Sequence, residues 1–532
     1  MTLRLSPLFT DDAVLARDRP LDIWGSAAPG TPVTLTLIPA DADEVATNPA
    51  PVGATTVTDD DGAWSVTVPA TPTGGSYTLI AATPDQRVIC RGLIFGDLWL
   101  TAGQSNMELP MSWVKNMVPW QYAQADQPLI RLFNVPCGFD FSTPHPTLTG
   151  GRWIIATPET IGQFTAAGYF FAQRVLTQTG VPIGLVAVAV GGTPVRSWTP
   201  EQALTPWPDE AARLHDLARP GAVEAIEAEN AELTESYATM RDAQDEGLTV
   251  GWADPDFDDS DWPIHDLGAT WEDTSSGAVW LRTTIEVPEA AAGPATLYFG
   301  AVVDAAEVWV DGRLVGRAEH RYVHPQYDIA LPSGRVVIAI RILINSGQGE
   351  VTPGKLRLLH TAARDWNLSA ETWRFKRGLT CADAPPTTTL IYEPAGLFNA
   401  MVVPLSKLRP TGMLWYQGES DADRAHEYHG RFAAMVQSWR EFWPELPVIF
   451  TQLAHWAPTP TARDMWAAIR AAQAACLDIP RTAMVTAEDI GDANDLHPMN
   501  KLMLGDRLAW AALTTVYGQD LGFSPYVIRS AE

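Results

Sequence analysis

An alternation of apolar strand, loop and helix begins at Leu93, stops near Trp198 and resumes only near Leu397. That order predicts a parallel sheet covered by helices, because parallel strands need long crossovers and are buried on both faces. Before the break, residues 93–100, 129–135 and 181–190 read as strands, and residues 164–179 have helical periodicity. After it come strands at 412–416, 447–453 and 482–486, with helices at 428–442, 462–476 and 501–516. One α/β domain is therefore expected to be split by a long insertion.

The insertion opens with an acidic helical stretch, residues 209–246, and continues with strands at 280–287, 296–299, 306–310 and 336–342. Asp311-Gly312 after Trp309-Val310 is a tight hairpin signal. Such a unit predicts a jelly roll or related sandwich. Ahead of Leu93, period-two runs at 21–24, 32–38, 64–68 and 77–80 are bounded by Gly, Pro, Asp and Ser, which predicts a small N-terminal β-sandwich. The expected domains are 1–92, the β-sandwich; 93–204, the first part of the α/β domain; 205–370, the insertion; and 371–532, its second part. The length of 532 residues agrees, since one core seldom serves so long a chain and the prior is about three to four domains.

Charge narrows the partners. Sixty-three acidic against 36 basic residues give a net charge of -27, which repels nucleic acid and anionic membrane surfaces. No apolar run of about eighteen residues is present to span a bilayer. The N-terminus, Met1 to Pro7, has no continuous apolar segment and no small-residue cleavage site. The chain is then cytoplasmic, or periplasmic or secreted with a leader already removed. Four cysteines, Cys90, Cys137, Cys381 and Cys476, show no Cys-x-x-Cys spacing and are expected to be buried thiols. Tryptophan is abundant, at 21 residues; its faces stack on sugar rings as well as filling cores, which favours a carbohydrate ligand without deciding it.

Four segments at predicted strand ends carry the chemistry. The first strand runs into Gly103-Gln104-Ser105-Asn106-Met107-Glu108, where glycine allows a tight bend and Ser105 stands as a nucleophile or as the cap of a short helix. The second reaches Gly191-Gly192-Thr193, which would expose a backbone N–H to a developing oxyanion or would simply turn the chain. A third ends in Trp415-Tyr416-Gln417-Gly418-Glu419-Ser420, where Gln417 is an uncharged donor and Glu419 an organiser or a solvated acid. The fourth loop holds Asp489, Asp492, Asn494, Asp495 and His497-Pro498; an imidazole beside a carboxylate is held in the tautomer that takes a serine proton. His426 and His429 would be the alternative metal pair, but they lack a placed third ligand and are expected to face solvent.

These four blocks in this order resemble the sialate O-acetylesterase family, a branch of the SGNH hydrolases. The resemblance extends to Leu5-Ser6-Pro7-Leu8-Phe9 and Ala16-Arg17-Asp18-Arg19-Pro20 near the N-terminus. The insertion, with Asp258-Asp259-Ser260-Asp261-Trp262 and Val308-Trp309-Val310-Asp311-Gly312, is similar to the jelly rolls of β-galactosidases. The resemblance implies an SGNH-type three-layer α/β/α hydrolase with a parallel sheet, an N-terminal β-sandwich and an inserted β jelly roll. It implies a serine esterase that removes O-acetyl groups from a carbohydrate, either sialic acid or an acetylated hemicellulose oligosaccharide, without metal or cofactor.

In residue terms it implies Ser105 as nucleophile, His497 as base, and an oxyanion hole from the N–H groups of Ser105 and Gly192 with the side chain of Gln417. Many SGNH relatives have Asn where Gln417 stands. More distant relatives often place Asp three residues before the His, where this chain has Asn494; Asp495 is taken as the acid, with Asp492 and Glu419 as alternatives. Glu419, Asn106 and Arg196 are expected to organise the site or touch substrate, Arg196 by meeting a sialic acid carboxylate. Two other readings stay open: a carbohydrate-binding protein without catalysis, and a general carboxylesterase. The latter usually carries Gly-x-Ser-x-Gly, whereas Asn106-Met107 follow Ser105 here.

Overall fold

The strand leading to Ser105 is longer than its apolar run. In the computed structural model, which describes residues 2–39, 52–267, 269, 271, 275–319 and 324–520, β1 spans Arg87–Gly103 and is buried without interruption from Leu93 onward. Its first half pairs antiparallel with Gly74–Ala82 and parallel with Val14–Ala16. Its second half enters a seven-strand path with β2 (Gln127–Asn134), β3 (Trp153–Ala156), β4 (Ile183–Ala189), β5 (Gly412–Tyr416), β6 (Val448–Gln452) and β7 (Thr482–Thr486). The order is β3-β2-β4-β1-β5-β6-β7, parallel throughout except for β3 on β2. Leu100 at the middle of β1 faces Val186 of β4 on one side and Met413 of β5 on the other. The chain fills first one side of β1 and then the other, so the carboxyl end of β1 is a topological switch point, where open α/β sheets bind ligands.

The boundary expected at residue 92 falls inside β1. The N-terminal strands share that strand with the parallel sheet, and polar ties reinforce the junction: buried Arg131 of β2 donates to the carbonyls of Asp12 and Gly92 at 2.7 and 2.6 Å. The chain divides instead into one unit of residues up to Ala222 with those from Thr389, and a second of Val223–Thr388. In the first, helices α1 (Ser105–Glu108), α2 (Ala166–Thr179), α3 (Ala425–Phe442), α4 (Pro460–Ala475) and α5 (Lys501–Thr515) join the strands. Arg174 of α2 grips Asp506 of α5 through two hydrogen bonds of 2.9 and 3.0 Å, which fixes the start of α5.

The second unit begins and ends later than the 205–370 expected. The helix Pro208–Leu217 belongs to the first unit, where Arg431 holds Glu210 at 2.7 Å. Strand Trp373–Thr380, expected in the α/β domain, pairs instead with Gly277–Val287. The latter also pairs with Gly334–Ile344, and that strand with Ala305–Val310, in a six-stranded antiparallel sheet; a four-stranded sheet is centred on Gly293–Tyr298 and Leu358–Thr361. Asp311 and Gly312 take φ of 51° and 76°, as the hairpin signal requires.

Tryptophans of this unit fill cores: Trp252, Trp262, Trp271, Trp280, Trp366 and Trp373 are all buried, so most do not present faces to a sugar. The cysteine expectation is also revised, since Cys90 and Cys476 are buried whereas Cys137 is exposed and Cys381 half-buried. Among the described residues no helix is long and apolar enough to cross a membrane.

Arg341 is 1% exposed and bonds Asp245 at 2.7 Å, Asp242 at 2.7 Å and Glu307 at 3.0 Å. Arg341→Met leaves Asp245, itself 0% exposed, without its counter-ion. The expected loss is about 3–5 kcal/mol, read as a lower urea midpoint for the unfolding of residues 223–388. A loss under 1 kcal/mol would contradict this account.

Candidate active site

A side chain cannot be accommodated at the end of β1. Gly103 has φ of +130°, and a Cβ there would lie 2.1 Å from the Tyr416 carbonyl oxygen at the end of β5. The Gln104 N–H donates to that same oxygen at 2.9 Å. The chain then turns at once into α1, whose first residue is Ser105. Ser105 Oγ lies 2.8 Å from His497 Nε2, across 392 residues of chain.

His497 sits in the loop between β7 and α5, 8% exposed, with Trp113 edge-on at 6.1 Å. The loop is held by backbone bonds to the segment after β6, Ala457 N–H to Ala493 at 2.9 Å and His455 N–H to Glu488 at 3.3 Å. Asp495 is 4% exposed and its Oδ1 accepts the His497 backbone N–H at 2.8 Å. Asp492 is exposed. Of the carboxylates considered from sequence, Asp495 is thus the one buried in the same loop as His497 and bonded to its backbone.

β4 delivers Gly191 and Gly192 to the same place. A Cβ on Gly191 would stand 3.6 Å from Ser105 Cβ; Gly192 has φ of +75°, and its Cβ would fall 2.0 Å from the Tyr392 hydroxyl. The Ser105 N–H lies in the first turn of a helix, where N–H groups have no intrahelical acceptor and favour negative charge. A developing oxyanion would find backbone donors here.

Gln417 does not join them. Its Nε2 donates to Asp421 Oδ2 at 2.6 Å and to the Thr193 carbonyl at 3.3 Å, which takes both amide protons. The oxyanion role expected for its side chain is therefore corrected. The cause is Asp421, 1% exposed, whose carboxylate also accepts the Val195 N–H at 2.9 Å. Burial pushes this carboxyl up, and the Val195 and Gln417 donors oppose the shift. With Ser420 Oγ donating to the Gly192 carbonyl at 2.8 Å, the β5 loop braces the β4 loop.

Asn106 and Glu419 meet, together with a residue that sequence reasoning missed. Asn106 Nδ2 donates to Glu419 Oε1 at 2.7 Å and to the Leu496 carbonyl at 2.9 Å, and its Oδ1 accepts from Lys501 Nζ at 2.6 Å. Lys501 is 1% exposed; burial pulls its pKa down to about 7, against the attraction of Glu419 and Asp495. A lysine opening a helix is unfavourable to the helix dipole, and that mismatch was the available signal.

Arg196 is not brought to the site as a free cation. Its Nε donates to the Tyr392 carbonyl at 3.0 Å and its guanidinium lies 3.6 Å from Glu210, so it braces the Gly192 loop rather than standing ready for a substrate carboxylate. His426 lies beside Glu427 at 3.8 Å, and His429 is bonded to Asp478 at 2.8 Å.

A hydroxyl hydrogen-bonded to a buried imidazole thus stands at the switch point of a largely parallel sheet, close to two glycines that expose backbone. Residues 95–226 and 388–514 match the family model for carbohydrate esterase, sialic acid-specific acetylesterase. Residues 247–344 match the second all-β domain of β-galactosidase. The chain is 25% identical to the sialate O-acetylesterase of Homo sapiens over 212 residues, 38% of this chain and 39% of that protein. To the enzyme of that name from Rattus norvegicus it is 27% identical, over 34% of each chain. The chain thus matches well under half the length of these curated relatives. The crystal structure of a carbohydrate acetylesterase from Xanthomonas citri shares the fold, with TM-score 0.57, 24% identity, and coverage of 98% of this chain and 77% of that one.

Gly103→Ala should be the most damaging single methyl in the site, since it meets backbone rather than a movable side chain and requires a φ that L residues avoid. We expect a loss of about 2 kcal/mol or more by thermal denaturation. An unchanged melting temperature would show that β1 and β5 can separate.

Proposed function

We propose that this protein is a carbohydrate O-acetylesterase working through an acetyl-serine intermediate. The observation that carries the reading is the 2.8 Å hydrogen bond between Ser105 Oγ and His497 Nε2, within segments matched by the carbohydrate-esterase family model. Ser105 Oγ attacks the acetyl carbonyl carbon while its proton passes to His497 Nε2. The N–H groups of Ser105 and Gly192 hold the resulting oxyanion. The bond to the sugar oxygen then breaks, and that oxygen takes the proton from His497. Water attacks the acetyl-serine, gives its proton to the same nitrogen, and acetate leaves as Ser105 is reprotonated. Asp495 stabilises the imidazolium and fixes its orientation. The scheme uses side chains and backbone donors and calls for no metal or cofactor.

With this function we propose the finer architecture that the sequence suggests: an SGNH-type α/β/α hydrolase with a jelly-roll insertion, supported by the parallel path through β1 and by the two antiparallel sheets of residues 223–388. The substrate is an acetylated sugar. Engagement of Arg196 by Tyr392 and Glu210 removes one reason to require a sialic acid carboxylate and favours a neutral acetylated oligosaccharide.

Ser105→Ala should abolish acetate release from acetylated sugars with the melting temperature kept within a few degrees; turnover within tenfold of the parent would refute the nucleophile. Asp495→Asn should lower kcat by a factor of about 10² or more, whereas exposed Asp492→Asn should change it little. Equal effects would move the acid elsewhere. Acetate release from O-acetyl sialic acid and acetyl-xylan, set against nitrophenol release from long-chain nitrophenyl esters, separates the readings. Preference for the long-chain esters would identify a general carboxylesterase, and no turnover with retained sugar binding a non-catalytic module.

A further inference from the structure

The residues that follow Ser105 and precede His497 in sequence are joined directly. Asn106 Nδ2 donates to the Leu496 carbonyl at 2.9 Å, so one side chain ties the peptide after the nucleophile to the peptide before the base. That bond forms only if the amide is turned with its nitrogen toward Leu496. Two groups set that orientation. Lys501 Nζ, which as an ammonium has no capacity to accept, donates to Oδ1 at 2.6 Å, and Glu419 Oε1 accepts from Nδ2 at 2.7 Å. Reversing the amide would place NH₂ against an ammonium and oxygen against a carboxylate.

The arrangement is costly enough to need a reason. Lys501 and Asn106 are each 1% exposed, and Glu419 Oε2 is buried with no hydrogen-bond partner among the described residues. Charges held so far from water commonly stabilise less than apolar replacements of the same size. The Lys501 ammonium also lies over the Tyr416 ring at 5.5 Å, on the strand end whose carbonyl fixes Gly103.

We propose that Lys501 and Glu419 are positioning residues: by fixing the orientation of the Asn106 amide they hold the Ser105 turn and the His497 loop at the separation proton transfer requires. Both act on the chemistry through the Asn106 amide. This rests on the esterase reading for its substrate but not for its geometry. A displacement of about 1 Å between reacting groups can cost a factor of about 10² in rate, and that is the scale expected.

The test uses the full chain and two readouts: kcat and KM for acetylated sugar, and the rate at which a nitrophenyl phosphonate labels Ser105. Labelling forms an Oγ–P bond, expels nitrophenolate and passes the serine proton to His497, so it reports the Ser105–His497 alignment even if acetylated sugars are not substrates. Lys501→Met should lower kcat and the labelling rate by about 10²-fold with KM within threefold. Glu419→Gln keeps an acceptor for Asn106 and should stay within fivefold of the parent, whereas Glu419→Ala should resemble Lys501→Met. If Lys501→Met does not fold, Asn106→Asp, which loses both donors with little change of shape, replaces it with the same expectation. Labelling within threefold of the parent in Lys501→Met or Asn106→Asp would overturn the proposal, as would Glu419→Gln as damaging as Glu419→Ala. Normal labelling of the parent without acetate release would refute the esterase reading and leave the positioning claim to be judged on labelling alone.

Discussion

The close approach of β1 and β5 at their carboxyl ends governs the site. Because Gly103 has no side chain, the Tyr416 carbonyl lies where a Cβ would be, and the two loops beyond begin within reach of each other. Gln104, Asn106, Gly418, Glu419 and Ser420 then interlock: Gln104 Oε1 accepts the N–H groups of Gly418 and Ser420 at 3.3 Å each, and Asn106 meets Glu419. β4, on the other flank of β1, brings Gly191 against Ser105. A strand buried on both faces with parallel neighbours is rigid, and loops that start from it inherit its precision.

Around that core the protein places polar groups where hydrophobic ones would cost less. Asp421, Lys501, Asp495 and His497 are all under 9% exposed. Burial pushes the carboxyls of Glu419 and Asp421 up and pulls Lys501 down, the opposing shifts that burial gives an acid and a base. Networks of this kind fix one arrangement, because any rearrangement leaves a buried donor or acceptor unmet. The second unit uses the same principle for structure alone, with Arg341 among three carboxylates.

What was legible in the sequence was the distribution of residue types. Gly103, Ser105, Gly192, Glu419, Asp495 and His497 stand at the ends of predicted strands, and the structure gathers them. Side-chain direction was not legible. Gln417 has a donor at the correct strand end, but a carboxylate four residues later, Asp421, takes it. Arg196 follows the glycine pair closely, yet Glu210 and the Tyr392 carbonyl occupy it. In each case the deciding partner is a polar residue whose burial no local pattern announces. Lys501 escaped notice because its one local sign, a cation at a helix start, makes sense only once Glu419 and Asp495 are found nearby.

Sequence by itself determined the alternation that makes a parallel sheet, the break that admits the inserted β-unit, and the four chemical blocks, because hydrophobic period and turn residues are local properties of the chain. Tertiary structure alone decided where the units part, since Trp373–Thr380 finds its partner in Gly277–Val287 rather than in the sheet it precedes. It also decided that β1 would serve both the N-terminal strands and the parallel sheet, and which donors remain for substrate. Those outcomes depend on pairings across up to several hundred residues, where each buried polar group takes whichever partner the packing brings within about 3 Å.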